Sequence, residues 1–507
     1  MALQVAPVLP HPGGEVVRSP EATAELILDT VGGRYHVEWD PEAPVTPLGQ
    51  LVFFSQFLGT AGLFRDWVAE CPLRYESPNA PQLNDLLGTI TLAILSGQWR
   101  YAHVTGLRAD RVNPAGLGMS RVCSEDSVRR AFKDQEPEAL AQWQRRHLLR
   151  SVEPALEHPW ILDLDVTVKP IYGQQEGALV GYNPTKPGRP SHAYHSYFMA
   201  GLRLVLDVEV HSGKDHAPKH GFTGLWRLLQ SLPPRERPYL IRGDCQYGQE
   251  PLLVGCEERQ QQYLFRLRQT VRVKQLVRWL EQQGSWEPVG QGQSAKEGCL
   301  RLSGWSRERR VVVIRRPKSP PAPAPAQPLL AWSELELITE AQYEYLVLVT
   351  NLPWELLALV QTYRQRADAE NVYDQLKNQW GWGGFMTQDL LRCQVAARNV
   401  ALIYNWWNLF VRLAEPQRPR EALTSRPLLL CAVGRLVQHA GQSVLRLTSN
   451  HAEAARAQAL LTRLSLFLSG LQNAAEQLSP AECWRRIYAR ILAPFLKPAA
   501  ALPAPSG

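Results

Sequence analysis

Apolar and polar positions alternate with period two through WILDLDVTV, residues 160–168. Leu162, Leu164, Val166 and Val168 fall on one side of a strand, and Asp163, Asp165 and Thr167 on the other. The runs YFMAGLRLVLDVEVHSG, PYLIRGDCQYG and QYLFRLR share this texture, with β-branched and aromatic residues bounded by Gly or Pro, and predict further strands. Helical periodicity at about 220–231, 249–260 and 271–283 separates or follows the later ones. The order strand, strand, helix, strand, helix, strand predicts a mixed α/β sheet. CLRLSGW, RRVVVIRR and YEYLVLVTN add short strands, interrupted by the stiff, Pro-rich linker RPKSPPAPAPAQP.

Both ends read differently. Residues 1–45 are rich in Pro and Gly and predict an irregular segment, and 46–150 predict helices, among them the long apolar-periodic PQLNDLLGTITLAILSGQW. SEDSVRRAFKDQ opens with Ser124 as an N-cap and places Arg129, Arg130 and Lys133 on a helix surface. That fits a DNA-contacting helical unit and equally a helical domain with solvated arginines. A long helix is expected from near Pro353, capped by Asn351, to GWGG at 381–384, and the remainder to about 495 reads as almost entirely helical. The divisions expected are 1–45, 46–150, 151–270, 271–350, 351–415 and 416–507, without internal repeats.

A chain of 507 residues is too long for one core, and its 45% apolar and 20% charged content is that of a globular protein. Net charge is +7, but Leu264–Lys318 alone holds 13 Lys and Arg against 4 Asp and Glu, or +9, so the basic excess is local. Eight cysteines without a CxxC pair argue against a structural zinc site and a disulfide scaffold. The opening MALQVAPVLPHPGG breaks the apolar run a signal peptide needs, and no apolar run reaches the 18 or so residues that span a bilayer. A reducing, cytoplasmic compartment without membrane contact is expected.

Three carboxylates stand out. Asp163 and Asp165 share one face of a strand that, if central, should be apolar on both faces; a solvated edge strand is the ordinary alternative. Asp244 closes the strand YLIRGD, where ligands of open α/β sheets bind, although a turn aspartate is commoner. Glu370 lies on the helix QTYRQRADAENVYDQLK. Tyr363, Arg366, Glu370 and Lys377 fall within about 60° of one another there, beside the apolar stripe Ala369, Tyr373, Leu376 and Trp380. Asp368 points away, while Asp374 shares the face and competes with Glu370. Acids on a first strand, a later strand and a following helix can converge at one end of a sheet. Clustered carboxylates then call for a divalent cation, and the flanking cations suit a phosphodiester backbone.

These residues resemble the DDE transposases of bacterial insertion sequences, in the cut-and-paste group marked by Y-x2-R-x3-E-x6-K, which stands here as Tyr363, Arg366, Glu370 and Lys377. LDLDVT resembles the first-acid motif and favours Asp165 over Asp163. IRGDCQYG resembles the second and gives Asp244, and residues 172–192 resemble the segment after the first acid in one subgroup. The likeness covers roughly 155–400. It implies an α/β fold with a ribonuclease-H-like core in two parts (151–270 and 351–415), a β-rich basic insertion at 271–350 and helical N- and C-terminal regions. It implies Asp165, Asp244 and Glu370 as catalytic residues and ligands of Mg2+, for which Mn2+ may substitute. Tyr363, Arg366 and Lys377 would contact DNA, and Trp286, Trp305 or Trp332 could stack on a flipped base. Implied too are double-stranded transposon ends and target DNA as partners, a homodimer in the DNA complex, hydrolysis that frees a 3′-hydroxyl, in many members through a hairpin, and its joining to target DNA. The alternatives are a nuclease of the same fold without strand transfer, and a transposase-derived DNA-binding protein that has lost catalysis. HSGKDHAPKH at 211–220 matches no zinc spacing and is set aside, as are His192 and His195.

Overall fold

A computed structural model of the chain describes residues 26–37, 40, 42–75, 77, 79–184, 186–318, 342–416 and 420–495. Leu26–Thr30 (β1) and Gly33–Val37 (β2) pair antiparallel as a hairpin in a unit of its own that ends at Pro44. Residues 1–45 read as irregular; the hairpin corrects this for 26–37, where Gly33 supplies the positive φ of 123° that the turn needs.

The second unit begins with a short strand, Val45–Thr46 (β3), and a helical region: Leu51–Thr60 (α1), Leu63–Ala69 (α2), Leu83–Leu95 (α3), Asn113–Gly116 (α4), Glu125–Arg130 (α5), Pro137–Arg150 (α6) and Glu153–Leu156 (α7). Ser124 caps α5 by accepting from the Ser127 amide. The sheet follows: Ile161–Pro170 (β4), Leu179–Val180 (β5), Pro190–Met199 (β6), Leu204–Ser212 (β7), helix Phe222–Ser231 (α8), Leu240–Gly243 (β8), helix Glu250–Glu258 (α9) and Tyr263–Arg266 (β9). Helix Val271–Gln282 (α10) leads to Glu287–Pro288 (β10), Ser294–Leu300 (β11), Arg309–Pro317 (β12) and Tyr343–Thr350 (β13).

Strands β4 to β13 form one ten-stranded mixed sheet in the order β10-β11-β12-β13-β9-β8-β4-β6-β5, with β7 also on β6. The run YFMAGLRLVLDVEVHSG is two strands rather than one, turned by Gly201 (φ 75°) and Arg203 (φ 58°). β4 lies between β6 and β8, so the solvated-edge reading of Asp163 and Asp165 does not hold. β4, β8 and β9 run parallel. The strands at 287–350 build no separate body: β13 pairs with β9, Leu348 opposite Arg266, and continues the sheet.

The long helix expected from Pro353 is two, Leu356–Arg364 (α11) and Ala367–Asn378 (α12), tightened at Gln365 and Arg366 by the bond from the Arg366 amide to Tyr363 O. Asn351 does not cap it; its side chain accepts from the Tyr263 amide and donates to Gln261 O, tying down β9. Leu390–Ala414 (α13), Ala422–Leu429 (α14), Ala454–Gln472 (α15) and Pro480–Leu492 (α16) complete the helices. The C-terminal region is not wholly helical: Val433–His439 (β14) and Gln442–Thr448 (β15) form a ribbon joined to β3.

α13 is the axis on which both helical regions pack. Trp67 of α2 stacks on Trp143 of α6 at 5.5 Å and meets Trp406 edge-on at 5.5 Å, while Phe54, Phe57, Phe410 and Trp484 fill the next layer. Asn405 hydrogen-bonds both the amide and the carbonyl of Val205, fixing α13 to β7. The eight cysteines are free. Among the described residues no helix is long and apolar enough to cross a membrane.

Candidate active site

Register decides what meets at the carboxyl edge of the parallel strands. Asp163 pairs with Arg242, which pairs in turn with Leu264, and Leu164 pairs with Gly243, which pairs with Phe265. Asp165 follows on β4 and Asp244 immediately after the end of β8; alternation puts Asp165 on the face of Asp163, and Arg266, the last residue of β9, on the face of Leu264. Farther from the rim this face is apolar, with Leu240, Leu264, Val312 and Leu348 under Leu356, Leu359 and Val360 of α11.

Asp163 and Arg242 form a bidentate ion pair beneath the rim, with both bonds at 2.7 Å and side chains 1% and 0% exposed. The remaining Nη1 of Arg242 donates to Thr362 O near the end of α11. One guanidinium thus joins β4, β8 and the helix that leads to Glu370. With both oxygens engaged, Asp163 is a bracing residue, and the acid left open on β4 is Asp165.

At the rim, Oδ2 of Asp165 lies 3.3 Å from Nη2 of Arg366, and its Oδ1 accepts from the Val166 amide at 2.8 Å. Burial, with Asp244 beside it, pushes the Asp165 carboxyl up to about 6 against the pull of Arg366 and Lys377. Asp244 accepts from the Gln246 amide, which fixes the turn after β8. Arg366 is 7% exposed; burial works against its charge, but Asp165, Tyr363, Asp163 and Asp244 outweigh that and hold it firmly protonated. Its Nη1 is 3.9 Å from Oε1 of Glu370, whose side chain is 73% exposed. Tyr363 is pushed up to about 12 by burial, opposed by Arg366 and Arg266. Burial lowers Lys377, whereas Asp165 and Asp374 raise it, and its Nζ sits 5.7 Å from the Tyr373 ring centre.

The structure therefore gathers Asp165, Asp244, Tyr363, Arg366 and Lys377 in one electrostatic neighbourhood. Glu370 meets it only through Arg366. Among the described residues, no group of three or more His, Cys, Asp or Glu side chains is placed to hold a metal ion. Asp374 faces Lys377 and accepts from Asn378, which leaves it peripheral.

Sequence reasoning passed over Arg266. It closes β9 near Tyr363, whose hydroxyl it helps hold down against burial, and its Nε is buried without an acceptor. The available signal was a cation within the apolar run of QYLFRLR, at the point where the strand closes. Conversely, several arginines of the +9 segment are engaged in ion pairs. Arg309 pairs with Glu250 (2.6 Å) and Glu257 (2.7 Å), Arg310 with Glu297, Arg315 with Glu281 and Arg316 with Glu344, each at 2.8 or 2.7 Å. Trp286 lies under Arg315 at 4.3 Å and Trp305, 6% exposed, under Arg309 at 5.0 Å, so neither ring has both faces free; Trp332 lies outside the described residues.

A family model described as Transposase DDE domain group 1 matches residues 61–468. Among solved structures, the chain is similar to piggyBac transposase, in a cryo-EM synaptic complex with hairpin DNA. The TM-score is 0.37 and identity 11%, over 89% of this chain and 86% of that one. No curated protein sequence matches.

Proposed function

The chain belongs to the family described as Transposase DDE domain group 1, and on that premise we propose that it is a cut-and-paste transposase of a bacterial insertion sequence, in the Y-R-E-K group. It cleaves at the terminal inverted repeats and joins the freed 3′-hydroxyl ends to target DNA. The observation that carries this reading is the cluster at the carboxyl ends of the parallel strands β4 and β8. Asp165 and Asp244 stand near each other there, and the buried Arg366 lies 3.3 Å from Asp165. The strand order β7-β6-β4-β8-β9, three antiparallel and then two parallel, with α8 and α9 as connections, supports a ribonuclease-H-like core.

The donor set suits a divalent cation. Asp165 and Asp244 are neighbours, two of the three expected donors, and burial raises the Asp165 carboxyl further than Arg366 lowers it, so a cation bound there would favour its ionised form. These two, with Glu370, would hold Mg2+ or Mn2+, which would supply charge neutralisation at the scissile phosphate and a more acidic attacking water. The chain's own residues do the rest. Arg366, with an unsatisfied Nε, exchanges its carboxylate neighbours for a phosphate oxygen. Lys377 and Tyr363 hold the adjoining backbone, and Arg266, near Tyr363, grips it as well. Two copies acting together bring both transposon ends to one target.

Asp244→Ala tests the reading. Cleavage of DNA carrying the element's own ends, with Mg2+, is expected to fall on the order of a thousandfold, the several kcal/mol of barrier that metal-held charge supplies. Binding to those ends is expected to persist. Wild type that binds but never cuts would instead indicate a lapsed, DNA-binding descendant, and cuts without joined products a nuclease.

A further inference from the structure

We propose that the β14–β15 ribbon is a DNA-contacting arm, with Arg435 and Arg446 seated on phosphates of double-stranded DNA. The proposal rests on the reading of the chain as a protein that acts on DNA. Arg435 and Arg446 are directly opposite in the antiparallel register, on one face of the ribbon, and both are exposed. Like charges in that position repel across the strands. Neither guanidinium has a hydrogen bond or ion pair among the described residues, and between Glu421 and Glu453 the sequence contains no Asp or Glu. The repulsion is thus left for an external anion to relieve.

The geometry favours a duplex. Each strand has seven residues and spans about 23 Å; β3 pairs only as far as Arg435, and the two-stranded part beyond it fits the major groove, about 12 Å wide, with the arginine pair at its base. Ala440 (φ 50°) and Gly441 (φ 74°) make a tight turn, which keeps the ribbon narrow to its tip. His439 and Gln442, opposite each other on the same face as the arginines, are exposed and able to hydrogen-bond there.

The root is held in place. Gly434 and Thr46 pair across β14 and β3, and Gly434 and Gly49 approach so closely that a Cβ on Gly49 would lie 2.8 Å from the Gly434 amide nitrogen. Thr46 is fixed in turn by Asp110 and Asn113. An arm anchored in this way loses little entropy on binding.

The test is binding of the full-length protein to a mixed-sequence 40-base-pair duplex across a salt series, with cleavage assayed separately. R435A/R446A is expected to lower the slope of log affinity against log salt by about two and to weaken binding more than about tenfold at 0.1 M salt. R435K/R446K is expected to retain the wild-type slope, which separates charge from folding. Unchanged slope and affinity in R435A/R446A, with wild type binding normally, overturns the arm and leaves the transposase reading standing. Wild type that binds no duplex overturns both. Loss of self-association in DNA-free solution, with the slope unchanged, overturns the arm in favour of a contact between copies.

Discussion

Arg309 in β12 and Arg366 between α11 and α12 are both nearly excluded from water, at 2% and 7% side-chain exposure, and they differ in what surrounds them. Arg309 makes hydrogen bonds of 2.6, 2.7 and 3.0 Å to Glu250 and Glu257, with Trp305 beneath. Arg366 has carboxylates only at 3.3 and 3.9 Å, a long bond of 3.4 Å to Leu164 O, and an Nε with no acceptor. The first cation is closed and serves stability. The second is open, held charged by acids that do not satisfy it. Local charge density points to the first region, whereas unfilled hydrogen-bonding capacity points to the second.

Three measurements separate the two arginine environments. Arg309→Ala leaves Glu250 without its cation and Glu257 with only the exposed Arg307, and urea unfolding is expected to show a loss of about 3 kcal/mol with no change in the salt slope of DNA binding. A changed slope would put the extension in the DNA interface. Next is the pH response of Asp165 in metal-free buffer. Its carboxyl sits near 6 in the fold against an ordinary 3.8, so between those values the folded protein binds more protons than the unfolded chain. Stability contributed by this group is present below about 4 and lost as pH rises through 6, at most about 3 kcal/mol. Asp165→Asn is expected to lack that fall, and equal slopes in the two proteins would remove Asp165 from the charged rim. The smallest effect belongs to Arg366→Ala and Lys377→Ala, each expected to reduce the salt slope by about one, read by fluorescence anisotropy.

Parts of this were legible in the chain. The alternation in WILDLDVTV and the strand-ending YLIRGD located both aspartates, because period-two patterning reports a buried face directly. The helix at 356–378 was visible, yet its tightening at Arg366 was not, since the side-chain periodicity runs on through the break. The ribbon was missed for a different reason. VGRLVQHAGQSVLRLTS has an apolar residue every few positions and no Asn-Gly or Asp-Gly turn, so it blends into the helical sequence around it.

The α/β order, the acid-bearing elements and the position of the basic segment could be read from neighbours along the chain. The pairing of Asp163 with an arginine 79 residues away, the meeting of Arg309 with Glu250 from 59 residues off, and the continuation of the central sheet by the strands at 287–350 appear only in the folded chain. The physical reason is that a charge's role depends on which opposite charge or empty space lies within a few ångströms of it. Strand register, rather than spacing along the chain, sets that distance.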